Sequence, residues 1–223
     1  QIAHKILADQ EDPKAGDKIR SVVDPELRRS KHGGWFDGYL LDATIDPDSE
    51  LVTELNTLPA NGDEAGDTVE LVRQEEMAHG NNIQAISIDG VGFNGPVLRQ
   101  LEDPEDLAIN VFTPPPKPRE TEIFTPDDFT EDEQHAVVTC PAGKTSRYKE
   151  PDSRKRSWTY RFTRQTCETC PIQGRCMSHP PKGVFGKTVR KSDYEVEYRR
   201  ARQKASTPEY AAVRREHSKV ERK

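Results

Sequence analysis

An acid at the end of an apolar run is the first feature of this chain with the makings of chemistry. Ile83-Gln84-Ala85-Ile86-Ser87-Ile88 leads straight into Asp89-Gly90-Val91-Gly92-Phe93. The run reads as a buried strand of the parallel type, and α/β sheets carry their chemistry at strand C-termini. Gly90 and Gly92 let the chain turn sharply and keep bulk away from the Asp89 carboxylate, an arrangement that suits a hard cation such as magnesium. The same residues also make an ordinary strand-to-helix turn. A second acid, Glu221, falls near the apolar stripe of the last helical segment, roughly 20° from Tyr210 and 40° from His217 at 100° per residue. On that face it either pairs with Arg214 or Lys219 or serves a site.

The four cysteines, Cys140, Cys167, Cys170 and Cys176, are spaced C-x26-C-x2-C-x5-C. Cys167-Glu168-Thr169-Cys170-Pro171 is a knuckle-like turn that can offer two thiolates to one ion, and four thiolates complete a tetrahedral zinc site. Free thiols and a redox C-x-x-C are the alternatives; the redox reading leaves Cys140 and Cys176 unexplained. No secretory signal is visible, which counts against disulfides.

The elements around these residues can be read in outline. Trp35 to Ile45 and Leu51 to Leu58 form an antiparallel hairpin across Asp46-Pro47-Asp48-Ser49. Asp67 with Glu70 fits a capping pattern that opens a helix running to about His79. The Asp89 strand follows, then a short helix opened by Asn94-Gly95-Pro96, then a buried-type strand from Leu107 to Phe112. The order β, β, α, β, α, β predicts an α/β protein with a mixed sheet flanked by helices. Thr113 to Pro118 is a stiff, proline-rich linker into an insertion that holds every cysteine. Ser192 to Glu195 fits a capping box for a helix ending near Ala205, and Thr207-Pro208 opens the last helix. Residues 1–34 lack periodicity and read as an irregular arm. The predicted organisation is therefore an arm over 1–34, a core over 35–113, the linker and Cys-rich basic insertion over 114–190, and C-terminal helices over 191–223 that complete the core.

Composition narrows the function classes. Hydrophobic and charged residues each make up 32% of the 223 residues, so the core is modest and polar segments are long. No apolar run is long enough to span a membrane. The net charge of −6 conceals a division. Residues 1–140 carry 11 Lys and Arg against 30 Asp and Glu, whereas residues 141–223 carry 22 against 9. The basic part, rich in Arg and interleaved with Trp158, Tyr160 and Phe162, is suited to phosphates and nucleic acid. Glycine-rich phosphate loops, G-x-S-x-G and H-E-x-x-H are missing.

In combination these stretches resemble the DDE transposases of bacterial insertion sequences. Ser21-Val22-Val23-Asp24-Pro25-Glu26-Leu27-Arg28, Trp35 with Gly38-Tyr39, and Thr57-Leu58-Pro59-Ala60-Asn61-Gly62-Asp63 follow that family's order. Ile88-Asp89-Gly90-Val91-Gly92-Phe93 resembles its second catalytic aspartate. Thr139-Cys140-Pro141-Ala142-Gly143-Lys144 and Cys167 to Cys176 resemble the Cys-rich insertion of one branch. Thr207-Pro208-Glu209, Arg214-Arg215 and Val220-Glu221 resemble the segment bearing the third catalytic acid. The resemblance spans roughly residues 20–223. It implies an RNase H-like fold in which three acids bind two magnesium or manganese ions about 3.5–4 Å apart for in-line attack of water or a DNA 3′-hydroxyl on a phosphodiester. It implies Asp89 and Glu221 as metal-binding catalytic acids, DNA ends and target DNA as partners, an active homodimer, and a bacterial, nucleoid-associated cytoplasmic location; the cysteine spacing itself adds the expectation of a structural zinc ion. The family's first catalytic Asp lies on a strand upstream of Gly38-Tyr39, and residues 1–34 offer no such strand; Asp42 is the substitute that the chain provides. The expectation is thus a partial chain lacking the first Asp and the C-terminal tail. Two other functions compete: a catalytically inactive, transposase-derived protein that binds zinc and DNA, and an unrelated metal-dependent phosphohydrolase using Asp89.

Overall fold

The computed structural model describes residues 2–11, 18–32, 34–118, 121–132, 134 and 136–217. The chain divides into two compact units, Gln1–Pro115 with Arg200–Lys223, and Pro116–Arg199. The proline-rich linker lies at their boundary. The protein is α/β, with helices and several small sheets.

The first unit opens with helix α1 (Ile2–Glu11) and strand β1 (Arg28–His32). Then come β2 (Gly34–Ile45), β3 (Val52–Pro59) and helix α2 (Glu64–His79). Strands β1, β2 and β3 form an antiparallel meander. The β2–β3 turn is set by Asp46, whose Oδ2 accepts from the Ser49 amide at 2.9 Å, while Glu50 takes the left-handed conformation at φ 57°. Alternation along β2 half-covers one face and leaves the other open, with Leu41 and Leu55 exposed. Helix α2 lies against β2 and β3, where its buried Glu75 accepts from Thr44 Oγ1 at 3.1 Å and from Asn81 Nδ2 at 3.2 Å. Gly80 ends α2 at φ 63°, a left-handed C-terminal position that glycine occupies without a Cβ penalty.

Beyond α2, β4 (Ala85–Ser87) pairs in parallel with β5 (Asn110–Phe112), and α3 (Gly95–Leu101) forms the connection. The apolar core gathers Val69, Leu71 and Val72 of α2, Val97, Leu98 and Leu101 of α3, and Ile109, Val111 and Phe112 around β5.

The second unit contains a small ladder of β6 (Thr130–Glu131) with β7 (Val138–Thr139), and an antiparallel sheet in the order β10-β9-β8. Its strands are β8 (Tyr148–Asp152), β9 (Ser157–Thr163) and β10 (Phe185–Ser192). Short helices α4 (Arg164–Glu168) and α5 (Gln173–Cys176) lie between β9 and β10. The core is Phe129, Val138, Tyr160, Phe162, Cys167 and Val189, with Cys140, Cys176 and Met177 packed against it. Helix α6 (Glu195–Lys204) leads back to the first unit, where α7 (Pro208–His217) follows.

Several sequence expectations need correction. Where the sequence suggested an irregular arm over 1–34, the described residues include helix α1 and strand β1. Helix α1 escaped notice because Asp9 occupies a buried position where an apolar residue would mark the stripe; it accepts from the Ile19 amide at 2.8 Å and pairs with Lys5 at 2.9 Å. Strand β1 is polar and is held by backbone pairing to β2 and by the Arg29–Asp37 ion pair. Helix α2 begins at Glu64, one turn before Asp67, which therefore caps nothing. Ser192 Oγ accepts from the Tyr194 amide at 3.2 Å, a local turn ahead of α6 and not a capping box. Strand β4 spans only three residues. The single mixed sheet is not assembled, since the β1–β3 meander and the β4–β5 pair are separate sheets among the described residues.

Candidate functional site

Asp89 stands where the β4 ladder ends and a 3-10 turn, Gly90–Gly92, begins. Its Oδ1 accepts from the Val91 amide at 2.9 Å, so the side chain caps the turn and is aimed by it. The backbone is fixed independently: Thr113 Oγ1 donates to the Asp89 carbonyl at 2.7 Å, and the Ile88 amide donates to the Phe112 carbonyl at 2.9 Å. Gly92 is required for packing, because a Cβ there would come within 2.6 Å of the Ile88 side chain. The Asp89 residue itself is exposed. The strand-end acid of the sequence reading is thus held rigidly and presented to solvent.

Asp42 lies on β2 opposite Asn56 of β3. Burial, a hydrogen bond with Asp67, and the charges of Asp67, Glu64 and Asp89 push its carboxyl up to about 6. The partner is well defined. Asn56 Nδ2 donates to Asp67 Oδ1, whereas Asp67 Oδ2 is buried and finds no donor among ordinary hydrogen-bonding groups. Burial is the largest cause of the upward shift, and the hydrogen bond with Asp67 is the next. The structure therefore brings Asp42 into the electrostatic neighbourhood of Asp89, with Asp67 and Glu64 beside it. Among the described residues, however, no three His, Cys, Asp or Glu side chains are gathered into a group that could hold a metal ion. Glu221 lies outside the described residues.

Helix α7 reaches the same strand end. Thr207 Oγ1 caps it by accepting from the Tyr210 amide at 3.2 Å, as its Thr-Pro start predicts. The Tyr210 ring meets that of Phe112 at 6.4 Å between centroids. From the last turns of α7, Arg214 Nη1 donates to Ser87 Oγ at 3.1 Å and to the Ile88 carbonyl at 2.9 Å. Arg214 already stood out in the sequence as a candidate partner of Glu221, seven residues or two helical turns on; Asp67 is the site neighbour whose role the sequence did not show.

Another part of the family-like sequence is tied together locally. Tyr39 Oη donates to both carboxylate oxygens of Asp24, at 2.7 and 2.8 Å, which raises the tyrosine's pKa, and Arg28 Nη1 donates to the Pro25 and Leu27 carbonyls. These residues shape the entry to the β1–β2 hairpin.

In the second unit all four cysteines are free and line one small cavity of about 20 Å³, with Phe129, Phe162 and Met177 as further walls. Cys140 opens a tight turn in which the Gly143 amide returns to its carbonyl at 2.8 Å, and the Cys170 amide returns to the Cys167 carbonyl at 3.3 Å. Cys167 Sγ accepts from the Lys187 amide at 3.3 Å. Burial raises the Cys176 pKa, with the nearby Lys187 working against that and the other three cysteines adding to it. Gly186 is necessary beside Cys167, because a side chain would overlap its sulfur. The donor set suits a soft or borderline ion; the sulfurs converge on one cavity without forming a metal-holding group.

Residues 139–223 match the family model described as a transposase DDE domain. The match takes in the four cysteines and Glu221 and leaves Asp42 and Asp89 outside. Neither the curated proteins nor the solved structures compared with the chain give a match. Among the described residues no helix is long and apolar enough to cross a membrane.

Proposed function

From the premise that residues 139–223 are transposase DDE-domain sequence, we propose that this chain is the DNA transposase of a bacterial insertion sequence, acting by metal-dependent phosphodiester cleavage and strand transfer. The family match is the observation that carries this reading, and the local geometry supports it. Asp89 is a rigid, exposed carboxylate at a parallel strand end, and Arg214 ties α7, from the segment that precedes Glu221, to the carbonyl just before Asp89. Families of this kind use divalent metal ions. The residues to hold them are Asp89, Glu221 and, as the first acid, Asp42. Magnesium or manganese so held supplies Lewis acidity at a phosphoryl oxygen and makes an attacking hydroxyl more acidic. The protein's own part is to fix the acids on separate elements and to hold DNA by its phosphates.

The proposed core is RNase H-like. Beyond Gly38, β2 pairs with β3 alone, and β4 pairs with β5 alone, among the described residues. A strand added along those edges would join the two sheets into one mixed sheet. In this proposal the four cysteines hold a structural zinc ion that steadies the insertion, and the active form is a homodimer on DNA ends in the bacterial cytoplasm, with the nucleoid.

The test is a nicking and strand-transfer assay with magnesium or manganese on the full chain, Asp89→Ala and Glu221→Ala. Cleavage that both substitutions abolish is the expected result. Cleavage that survives either one removes that acid from the site. DNA binding without cleavage in the unsubstituted chain would favour the inactive, transposase-derived binding protein.

A further inference from the structure

We propose that the outer face of the β8–β9–β10 sheet is a docking surface for the phosphodiester backbone of DNA, an inference that rests on the transposase reading above and specifies where in the second unit the DNA lies. Alternation along the strands separates two chemistries. Trp158, Tyr160 and Phe162 of β9 and Val189 of β10 face the core, so Thr159 and Arg161, with Thr188 and Arg190, take the other face. The register puts Thr188 opposite Arg161 and Arg190 opposite Thr159. The two arginines are therefore diagonal neighbours, about 7–8 Å apart at the backbone. Arg154 joins them from the turn between β8 and β9, and the three line an open depression of about 490 Å³ with the two threonines.

This combination suits phosphate. All three cations are arginines, whose planar guanidinium groups pair with phosphate through two hydrogen bonds. Threonine hydroxyls are common donors to phosphate oxygens. At one rim Arg161 lies 5.1 Å from the centre of the Phe185 ring, and half-exposed Tyr148 meets that ring edge-on at 5.2 Å.

The wider charge agrees. Residues 141–191 hold 13 Lys and Arg against 3 Asp and Glu. Two of those three acids, Glu150 and Asp152, lie in the depression. Glu150 pairs with Arg161 at 2.6 Å and Asp152 approaches Arg190 at 3.9 Å. Glu150 and Arg190 are more than half exposed, and ion pairs with a solvent-exposed member are weak. Phosphates can replace the carboxylates at little cost. The two acids act as place-holders that hold the arginines extended over the sheet and set a limit on affinity.

The experiment is fluorescence anisotropy of a labelled, random-sequence DNA duplex titrated with the full chain between about 50 and 200 mM salt. The Arg154→Ala/Arg161→Ala/Arg190→Ala variant is expected to bind more than tenfold more weakly, with a log–log salt slope shallower by about 2–3. Glu150→Gln/Asp152→Asn is expected to bind more tightly, a change that misfolding cannot produce. If the unsubstituted chain binds and neither variant changes affinity or slope, the face is overturned while DNA remains a partner. If the unsubstituted chain ignores DNA at the lowest salt, the transposase reading fails and this proposal falls with it.

Discussion

The two units keep their reactive groups in opposite ways. In the first, Asp89 is exposed at the rim of an apolar core built from Leu98, Leu101, Val111 and Phe112, and only backbone and capping bonds hold it. In the second, the thiols are part of the interior: Cys167 belongs to the core cluster, and Cys140 and Cys176 pack against it. The first unit can lose its candidate ligands and keep its fold. The second is small, its core has few members, and its cysteines double as packing, so chemistry and stability cannot be separated there.

The largest expected effect comes from removing a wall of the thiol cavity. Phe162→Ala should cost about 3–5 kcal/mol and unfold the second unit first, leaving hydrogen-exchange protection around α2 and α3 intact; equal loss of protection in both units would break the contrast. Gly186→Val should cost about 1–3 kcal/mol or somewhat more, seen as a lowered denaturation midpoint for the second unit, because the new side chain overlaps Cys167 and the Thr163 carbonyl. In the first unit, Arg214→Leu removes two hydrogen bonds, one to a main-chain carbonyl. It should cost about 1–3 kcal/mol and accelerate amide exchange in β4 and the Gly90–Gly92 turn.

The smallest effect is a pH dependence. The Asp42 carboxyl is raised from 3.8 to about 6 by burial and by Asp67. The folded state therefore holds a proton that the unfolded chain has already released in that window. Asp42's own contribution to stability is greatest below 3.8, falls as the pH rises towards about 6, and stays reduced above it. Asp42→Asn should abolish that decline and stabilise the chain at pH 7 by about 1 kcal/mol after solvent screening. A denaturation midpoint with the same pH profile in both proteins would remove the Asp42–Asp67 proton from the account.

Local chemistry was legible in the sequence where a residue acts on its neighbours. Asn94 does accept from the Val97 amide and start α3, Thr207 caps α7, and the hairpin and the parallel Asp89 strand formed where composition placed them. What stayed hidden depends on long-range pairing. The target of Arg214 lies 126 residues away at Ile88, and Asp67 resembled a helix cap until β3 supplied Asn56 as its donor. Strand β1 was invisible because its polar side chains contribute little and β2 provides its pairing. The joining of the sheets was expected from element order alone. Order specifies a class of fold, and pairing requires edges that meet.

The most direct test of the central claim, that Asp89 anchors a divalent-cation site, is manganese-induced broadening of backbone NMR resonances, which does not depend on activity. The account predicts that trace manganese selectively broadens the amides of Asp89 to Phe93 and of β2 around Asp42, and that Asp89→Asn abolishes the effect. Broadening spread evenly over the acidic surface, or unchanged by Asp89→Asn, would contradict it.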